Sequence, residues 1–310
     1  MCTSTQGQST IQTGLEDRLP FDTPAYGQAL SHLGDPITAP GAPWPVIVRP
    51  IPGSSRYDAM GPWPYGSPLS QAGAAALIPA LKSQGLVSLN AMAKPGCPLD
   101  DQRLAACGVQ VARLKDHFVY QRGAALPQWS KKTRFNLAAA RREWRVQPFA
   151  LIDHWRQLAA YHAELAQRCS FSRITNVPAD YFRSLAQIPN IITLGAFDAG
   201  NLSAALIVAR YMGEIHFTII TGNAQAYARR AFYALYQDAI QRWSADHDLY
   251  MGSAPAAANQ DGLARFKNRF ATHRVPIFML RAILDPEAYA ALASQRGQPG
   301  YFPAYRTPFE

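Results

Sequence analysis

Three apolar runs joined by very short turns constrain the fold of this chain more than any other feature. The runs cover residues 191–197, 201–211 and 214–221, and only Asp198-Ala199-Gly200 and Met212-Gly213 separate them. Turns this short join antiparallel neighbours, because a parallel connection needs a dozen residues or more. The runs therefore predict an antiparallel meander of three strands.

Helix and strand patterns surround this meander. Apolar periodicity before it predicts three helices and one strand, at residues 127–142, 153–168, 178–186 and 145–149. After it, the pattern predicts helix, strand, helix and strand at residues 227–245, 249–251, 259–270 and 275–283. Together these patterns predict an α/β protein, of α+β type with mixed sheets.

The first part of the chain carries shorter elements of the same kinds. Strands are predicted at 46–48, 56–60, 86–89 and 109–120, and helices at 70–84 and 99–107. The proline-rich residues 35–45 predict a connector, and the polar residues 1–20 predict a flexible N-terminus. With 310 residues, the chain is long enough for two domains with their own cores. We predict a first, abbreviated domain at 21–125 and a second at 126–310.

The composition is that of a globular protein, with 48% hydrophobic and 16% charged residues. No apolar run approaches the length of a membrane helix, and the N-terminus has neither a basic nor an apolar leader segment. We therefore expect a cytoplasmic protein without a membrane span. The cysteines show no Cys-x-x-Cys spacing, which predicts free thiols and no metal site: Cys2, Cys97, Cys107 and Cys169.

Positive charge is the most informative part of the composition. The formal net charge is +9 and the pI is near 9.5, so the surface attracts polyanions. Ordinary solvation of helices is one explanation, and a phosphate-bearing partner such as coenzyme A or tRNA is another. The excess clusters in two stretches and one pair: Lys131, Lys132, Arg134, Arg141, Arg142 and Arg145; Arg265, Lys267, Arg269, Arg274 and Arg281; and Arg229 with Arg230.

Residues 249–270 combine an apolar strand end, a loop of small polar residues and a helix. Leu263, Phe266 and Phe270 recur at helical spacing and predict a stripe that faces the core. Lys267 lies beside this stripe. Spacing alone predicts a solvated lysine, since charged residues next to apolar stripes usually point at water.

Three segments of the chain, in order, resemble the Fem-type acyltransferase family. Its strand end and Phe-Lys-x-x-Phe motif are similar to Tyr250-Met251-Gly252-Ser253 followed by Phe266-Lys267-Asn268-Arg269-Phe270. Its Tyr-Gly-Gly-Pro segment is similar to Tyr65-Gly66-Ser67-Pro68, and the basic residues 131–143 look like the helix that opens its second domain. The resemblance implies two tandem halves, each with the acyl-CoA N-acyltransferase (GNAT-like) fold.

The resemblance also implies an activity, the transfer of an acyl group to an amine, and a set of site residues. Lys267 is implied as a catalytic donor to the carbonyl oxygen or to a phosphate, and Tyr65 as a residue that lines the acceptor or assists proton transfer. His216, on a predicted central strand, is either a base or an inward-facing, hydrogen-bonded histidine. A core position explains Tyr250 better than substrate contact does. The candidate substrate-binding residues are Phe266, Arg265, Trp63, Tyr250 and Asn259.

Two carriers are open for the acyl group. A typical GNAT enzyme has Arg/Gln-x-x-Gly-x-Gly/Ala where its long helix begins, and backbone amides there bind pyrophosphate. Residues 221–235 contain one glycine and no such motif. This difference disfavours coenzyme A and favours the Fem-type donor, aminoacyl-tRNA. The residues expected to bind it are Lys131, Lys132, Arg134, Arg141, Arg142, Arg229 and Arg230.

The expected acceptor is an amine of a small molecule or a peptide, and no cofactor other than the donor is expected. The chain has no long paired-helix arm like that of the peptidoglycan-bridge enzymes, so a cell-wall acceptor does not follow from the resemblance. The alternatives are an acyl-CoA-dependent N-acyltransferase, a non-catalytic nucleic-acid-binding protein and an acyltransferase fold that only binds a partner.

Overall fold

The computed structural model describes residues 18–254, 261–297 and 300–307. Within these ranges the strands are β1 (Asp35–Ile37), β2 (Val46–Pro50), β3 (Tyr57–Met60), β4 (Ser88–Met92), β5 (Gln110–Tyr120), β6 (Arg145–Pro148), β7 (Ile191–Asp198), β8 (Asn201–Tyr211), β9 (Glu214–Gly222), β10 (Asp248–Tyr250) and β11 (His273–Ile283). The helices are α1 (Pro24–Ala29), α2 (Gln71–Ser83), α3 (Asp101–Ala106), α4 (Lys131–Glu143), α5 (Leu151–Cys169), α6 (Ala179–Leu185), α7 (Ala224–Ala228), α8 (Ala231–Trp243), α9 (Asp261–Asn268) and α10 (Pro286–Arg296).

These strands form one mixed sheet in the order β1-β2-β3-β4-β11-β5-β10-β9-β8-β7-β6. Each end of the sheet is an antiparallel meander followed by one parallel strand. In the first half, β1 to β3 are antiparallel and β4 is parallel to β3. In the second half, β6 to β9 are antiparallel and β10 is parallel to β9. The predicted class, α/β with mixed strand directions and two related halves of which the first is shorter, is confirmed.

The last strand of each half pairs with the other half. β5 lies between β10 and β11, and β11 lies between β4 and β5. Because one sheet runs through both halves, no gap between strands marks a boundary at residue 125. The division into 21–125 and 126–310 therefore remains a prediction, and most of the predicted flexible segment 1–20 lies outside the described residues.

Helices cover both faces of the sheet, and alternate side chains of one strand pack on opposite faces. In β8, Ile207 and Ala209 belong to the core beneath α1, α5 and α6. Leu206 and Val208 belong to the core that α4, α8 and Phe270 complete. Helices α2 and α3 cover the first half. Among the described residues, no helix combines the length and the apolar character that a membrane crossing requires.

Two elements differ from the predictions. Residues 35–37, expected in a connector, form β1, which pairs with β2; Pro36 fits there because an edge strand needs hydrogen bonds on one side only. The helix predicted at 227–245 is broken into α7 and α8. The break lies at Arg230, whose left-handed φ of 63° interrupts the helix, and it places Arg229 within 2.6 Å of Glu143 and of Asp198.

Candidate active site

The two parallel strands of the second half separate in the middle of the sheet. β9 and β10 pair over three residues, ending at His216 and Tyr250, although β9 continues to Gly222. Beyond β10 the chain follows β5, where the Met251 amide donates to the Phe118 carbonyl at 2.8 Å. Within the described chain, the edge of β9 beyond His216 therefore has no strand partner. Its free backbone groups can bind an extended ligand.

A series of hydrogen-bonded side chains begins where these strands separate. His216 Nδ1 lies 2.8 Å from the Tyr65 hydroxyl, and Nε2 lies 2.9 Å from Glu214 Oε2. The Lys94 ammonium donates to Glu214 at 2.6 Å. Tyr65 and Lys94 come from the first half of the chain and the other two from the second, so the series joins both halves. Glu214, next to the turn before β9, is only 18% exposed in its side chain.

The two partners of His216 determine its protonation. The Glu214 carboxylate only accepts hydrogen bonds, so Nε2 carries the proton and Nδ1 accepts from the Tyr65 hydroxyl. Burial lowers the pKa of His216 by more than Glu214 raises it, which keeps the ring neutral. Burial raises the pKa of Glu214, but the hydrogen bonds from His216 and Lys94 and the charge of Lys94 outweigh burial and leave that pKa below its usual value. Both nitrogens of His216 are thus engaged, as in the hydrogen-bonded alternative for this residue.

A rigid loop from the first half positions Tyr65, which is 1% exposed. The Gly66 amide donates to the Met92 carbonyl at 3.0 Å, and the Lys94 amide donates to the Gly66 carbonyl at 2.7 Å. A Cβ at Gly66 would lie 2.2 Å from the Trp44 ring, so only glycine fits. This loop places Tyr65 and Lys94 side by side at the end of β4.

Tyr250 lies flat against His216, with ring centroids 4.8 Å apart and planes 16° apart. The Lys94 ammonium lies 5.6 Å from the Tyr250 ring centre, on the face that attracts cations. Burial raises the pKa of Tyr250, and the charge of Glu214 adds to this effect. Tyr250 is thus a buried aromatic residue, as the sequence favoured, and it contacts the predicted site residue His216 and the neighbouring Lys94.

Lys267 extends from α9 to the backbone that follows β10. Its ammonium donates to the Ser253 carbonyl at 2.7 Å, and the residue is only 8% exposed. The prediction from spacing that Lys267 is solvated is therefore wrong, because the loop after β10 covers the amine. Gly252 has a left-handed φ of +74°, and a Cβ there would lie 3.3 Å from the Lys267 nitrogen. The loop accommodates the lysine because this position carries no side chain.

Burial also changes the acidity of Lys267. It lowers the pKa of the amine from 10.5 to about 7, with a smaller contribution from the charge of Lys115. At neutral pH a large fraction of the amine is still protonated. A cation removed from water interacts strongly with negative charge that develops beside it. Lys267 is therefore a buried, partly protonated amine, and it remains a candidate donor to a carbonyl oxygen.

His117 is a site residue that the sequence did not indicate. It is 5% exposed, and its ring lies 5.6 Å from that of Tyr65. Burial lowers the pKa of His117 to about 3, and the charges of Lys115 and Lys267 act in the same direction. No described residue forms a hydrogen bond with its Nδ1. A neutral imidazole with a free nitrogen thus lies between the Tyr65 series and Lys267.

The remaining candidate substrate residues do not all converge on this cluster. Phe266 packs against Tyr236, with ring centroids 4.9 Å apart, and is part of the core beneath α8. Trp63 is half-buried, and its carbonyl accepts a hydrogen bond from Tyr26 at 2.7 Å. Arg265 is exposed on α9. Asn259 lies outside the described residues.

The predicted phosphate-binding residues fall into two groups. Five of them lie exposed on α4: Lys131, Lys132, Arg134, Arg141 and Arg142. α4 packs on the same core as Phe266 and Phe270, so this basic surface lies on the face of the sheet that carries α9. Arg229 differs, because Glu143 and Asp198 each bind it at 2.6 Å and neutralise it. Arg230 occupies the break before α8.

Over the residues that the structure describes, no three His, Cys, Asp or Glu side chains come together as a metal ion would need. The arrangement instead offers a free strand edge, a buried cation and two neutral imidazoles.

Comparison with known proteins supports the fold more than it supports a family. No family model and no curated protein matches the sequence. Among solved structures, the chain is similar to the C-terminal domain of a protein from Agrobacterium fabrum that is described as a lysylphosphatidylglycerol synthetase. That likeness has a TM-score of 0.60 and 14% identity, and covers 88% of this chain and 91% of that one.

Two further structures share the architecture. L-PGS from Bacillus licheniformis matches with a TM-score of 0.59 and 15% identity, over 94% of this chain and 99% of that one. FemX matches with a TM-score of 0.58 and 9% identity, over 80% of this chain and 86% of that one. At these identities the likeness establishes the fold alone. The chain has the tandem GNAT-like fold that the sequence predicted.

Proposed function

We propose that this protein forms an amide bond by transferring an aminoacyl group from aminoacyl-tRNA to an amine of a small molecule or peptide. The shared fold with L-PGS and FemX supports the general class of acyl transfer. One observation favours tRNA over coenzyme A as the carrier. The chain's own side chains occupy the helix terminus where a pyrophosphate would bind.

That terminus is the start of α7, directly after β9. Asn223 Oδ1 accepts a hydrogen bond from the Ala226 amide at 2.8 Å. The Asn223 oxygen therefore occupies the position at the helix terminus that an oxygen of a bound anion would take. The Asp198 carboxylate lies beside it and accepts from Gln225 at 3.2 Å and from Arg229 at 2.6 Å. A carboxylate at this place repels a pyrophosphate. The local charge thus supports a donor that binds elsewhere.

The basic surface of α4 supports tRNA as that donor. Each lysine or arginine that neutralises a phosphate releases a counterion, and this release provides much of the affinity of proteins for nucleic acids. The five exposed cations of α4 lie on the face of the sheet that carries Lys267. A tRNA held there would bring its aminoacylated end toward the gap between β9 and β10.

The proposed reaction breaks the ester bond between the aminoacyl carbonyl carbon and the ribose oxygen, and forms a carbon–nitrogen bond to the acceptor amine. The amine proton ends on the ribose oxygen, so no cofactor is consumed. The free edge of β9 would bind the extended aminoacyl group. Lys267 would donate to the carbonyl oxygen as it becomes negative. The Tyr65 hydroxyl donates its proton to a hydrogen bond with His216, so its oxygen would accept a hydrogen bond from the N–H group of the acceptor amine.

The test compares the two donors with purified protein. We expect tRNA to bind with an affinity that falls steeply with salt, and acetyl-CoA to leave the melting temperature unchanged. With a panel of amines, labelled amino acid should move from aminoacyl-tRNA to an amine. Tight binding and use of acetyl-CoA would contradict the donor assignment. Binding of tRNA without transfer to any amine would favour a non-catalytic nucleic-acid-binding protein.

A further inference from the structure

The exposed face of α4 carries an aromatic side chain that packing does not explain. Phe135 is 61% exposed, more than Tyr57 or Tyr227, the other aromatic residues with large exposed fractions in the described chain. A single exposed apolar side chain is common on protein surfaces. The neighbours of Phe135 make this one a candidate for binding.

Helical spacing places Phe135 in a line of exposed residues. Lys131 precedes it by four positions, and Ala138 and Arg142 follow it by three and seven, so all four lie on one side of α4. Each of them is exposed. Ala138 has a short side chain, and the Phe135 ring beside it in this line is 61% exposed. The line thus consists of an open aromatic face between two cations.

No free carboxylate on α4 offsets these cations. The helix contains five basic residues and one acidic residue, Glu143. Glu143 binds Arg229, which Asp198 binds as well, so this carboxylate is bonded to a residue outside α4 and not to the cations of α4. Asp238 lines the shallow groove beside Arg141 and is itself paired with Arg242. The surface around Phe135 therefore favours an anionic partner with a flat apolar part.

The start of α4 also lies next to the helix that carries Lys267. Trp129, just before α4, donates its indole N–H to the Arg269 carbonyl at 2.9 Å. Its ring lies 6.2 Å from that of Phe270. Asn136, beside Phe135, donates to the Tyr233 hydroxyl at 3.2 Å. The first turns of α4 are therefore anchored to the chain that directly follows the helix of Lys267.

We propose that Phe135 stacks on an unpaired base of the single-stranded acceptor end of a tRNA, while Lys131 and Arg142 bind phosphates on either side. This inference rests on the proposed function. Stacking requires a base with a free face, which duplex nucleic acid does not offer in its interior but a single strand does. The aromatic residue between cations is the arrangement that proteins use for single-stranded nucleic acids.

The experiment compares tRNA binding by the wild-type protein, Phe135→Ala, Phe135→Trp and Tyr57→Ala, over a range of salt concentrations. Phe135→Ala should weaken binding about fivefold or more, the usual effect of losing one stacked base. It should leave the salt dependence unchanged, because no charge is removed. Phe135→Trp should retain affinity, and the control Tyr57→Ala should match the wild type. A tRNA lacking its unpaired 3′ nucleotides should bind all four proteins equally.

Each other outcome has a separate meaning. If the wild type transfers aminoacyl groups from tRNA but Phe135→Ala binds equally well, the stacking inference is wrong and the proposed function stands. If the wild type neither binds tRNA nor uses it, the proposed function fails and the inference fails with it. If Phe135→Ala instead loses binding to phosphatidylcholine vesicles containing phosphatidylglycerol while binding tRNA normally, the partner is an anionic membrane and stacking is overturned.

Discussion

Replacing Lys267 with methionine should stabilise the protein at neutral pH while removing its activity. Methionine has nearly the same length, is apolar and leaves no ammonium to be kept out of water. The 8% exposure of Lys267 and its pKa of about 7 both indicate that the fold holds this amine at a cost. A solvated lysine would show no such effect.

The size of the effect follows from proton linkage. The folded-state pKa of about 7 lies below the ordinary value of 10.5, so between these values the unfolded chain binds more protons and stability rises with pH. Below pH 7 the penalty is fully present, and above pH 10.5 it is absent. A shift of this size corresponds to about 5 kcal/mol in total, of which about 3 kcal/mol falls between pH 7 and pH 10. Lys267→Met also loses the hydrogen bond to Ser253, which reduces the gain in free energy of unfolding by about 1 kcal/mol at pH 7 and at pH 10 alike.

Urea unfolding at pH 7 and pH 10 measures this difference. The free energy of unfolding of Lys267→Met should exceed that of the wild type at pH 7, and this difference should shrink by about 3 kcal/mol at pH 10. Lys82→Met, on an exposed turn of α2, is the matched control. Its free energy of unfolding should differ from that of the wild type by the same amount at pH 7 and at pH 10. An advantage that stays constant from pH 7 to pH 10 would refute the burial of the Lys267 amine.

Three further predictions concern the core, the polar series and the basic surface. Phe270→Ala should cost about 3–5 kcal/mol in urea unfolding, because the ring is fully buried among other aromatic rings. Glu214→Gln should destabilise the protein by about 2 kcal/mol at pH 7, since the Lys94 cation loses its partner. Because the pKa of Glu214 lies below its usual value in the folded protein, this difference should shrink as the pH falls below the ordinary glutamate pKa and disappear once the pH is below the folded-state pKa. Arg141→Glu with Arg142→Glu should weaken tRNA binding and lower its salt slope by roughly two, measured by filter binding from low to high salt.

The strands and helices of the second half were predictable from the sequence, because local apolar periodicity and short turns define them. The meander of β7, β8 and β9 followed from two short turns, and the order of elements in the second half followed from apolar spacing. The place of β11 between β4 and β5 was not predictable, because strands far apart in sequence can pair in many ways. The break at Arg230 brings Arg229 to two carboxylates that are distant in sequence, and no local pattern reveals it.

The site was predictable only in part, for the same reason. Tyr65, His216 and Tyr250 were chosen separately, and the fold brings them into contact. Glu214 could have been linked to His216, because residues two apart on a strand share a face. Lys94 and His117 gave no such signal, since their neighbours in the site come from distant parts of the chain.

The burial of Lys267 could not be read from its spacing. The residue lies beside an apolar stripe, where most lysines are solvated. Its amine is covered because the chain leaves β9 after three residue pairs and follows β5, which places the Ser253 carbonyl over α9. The Phe-Lys-x-x-Phe resemblance identified the residue, and the separation of two strands explains its environment.

Single-turnover transfer of a labelled amino acid from aminoacyl-tRNA to a panel of amines tests the central claim most directly. The wild type should release tRNA and place the label on an amine through an alkali-stable bond. Lys267→Met should bind tRNA equally and transfer about a hundredfold or more slowly, the usual effect of losing a donor to the carbonyl oxygen. Equal rates for the two proteins, or labelling of amines from acyl-CoA alone, would contradict the account.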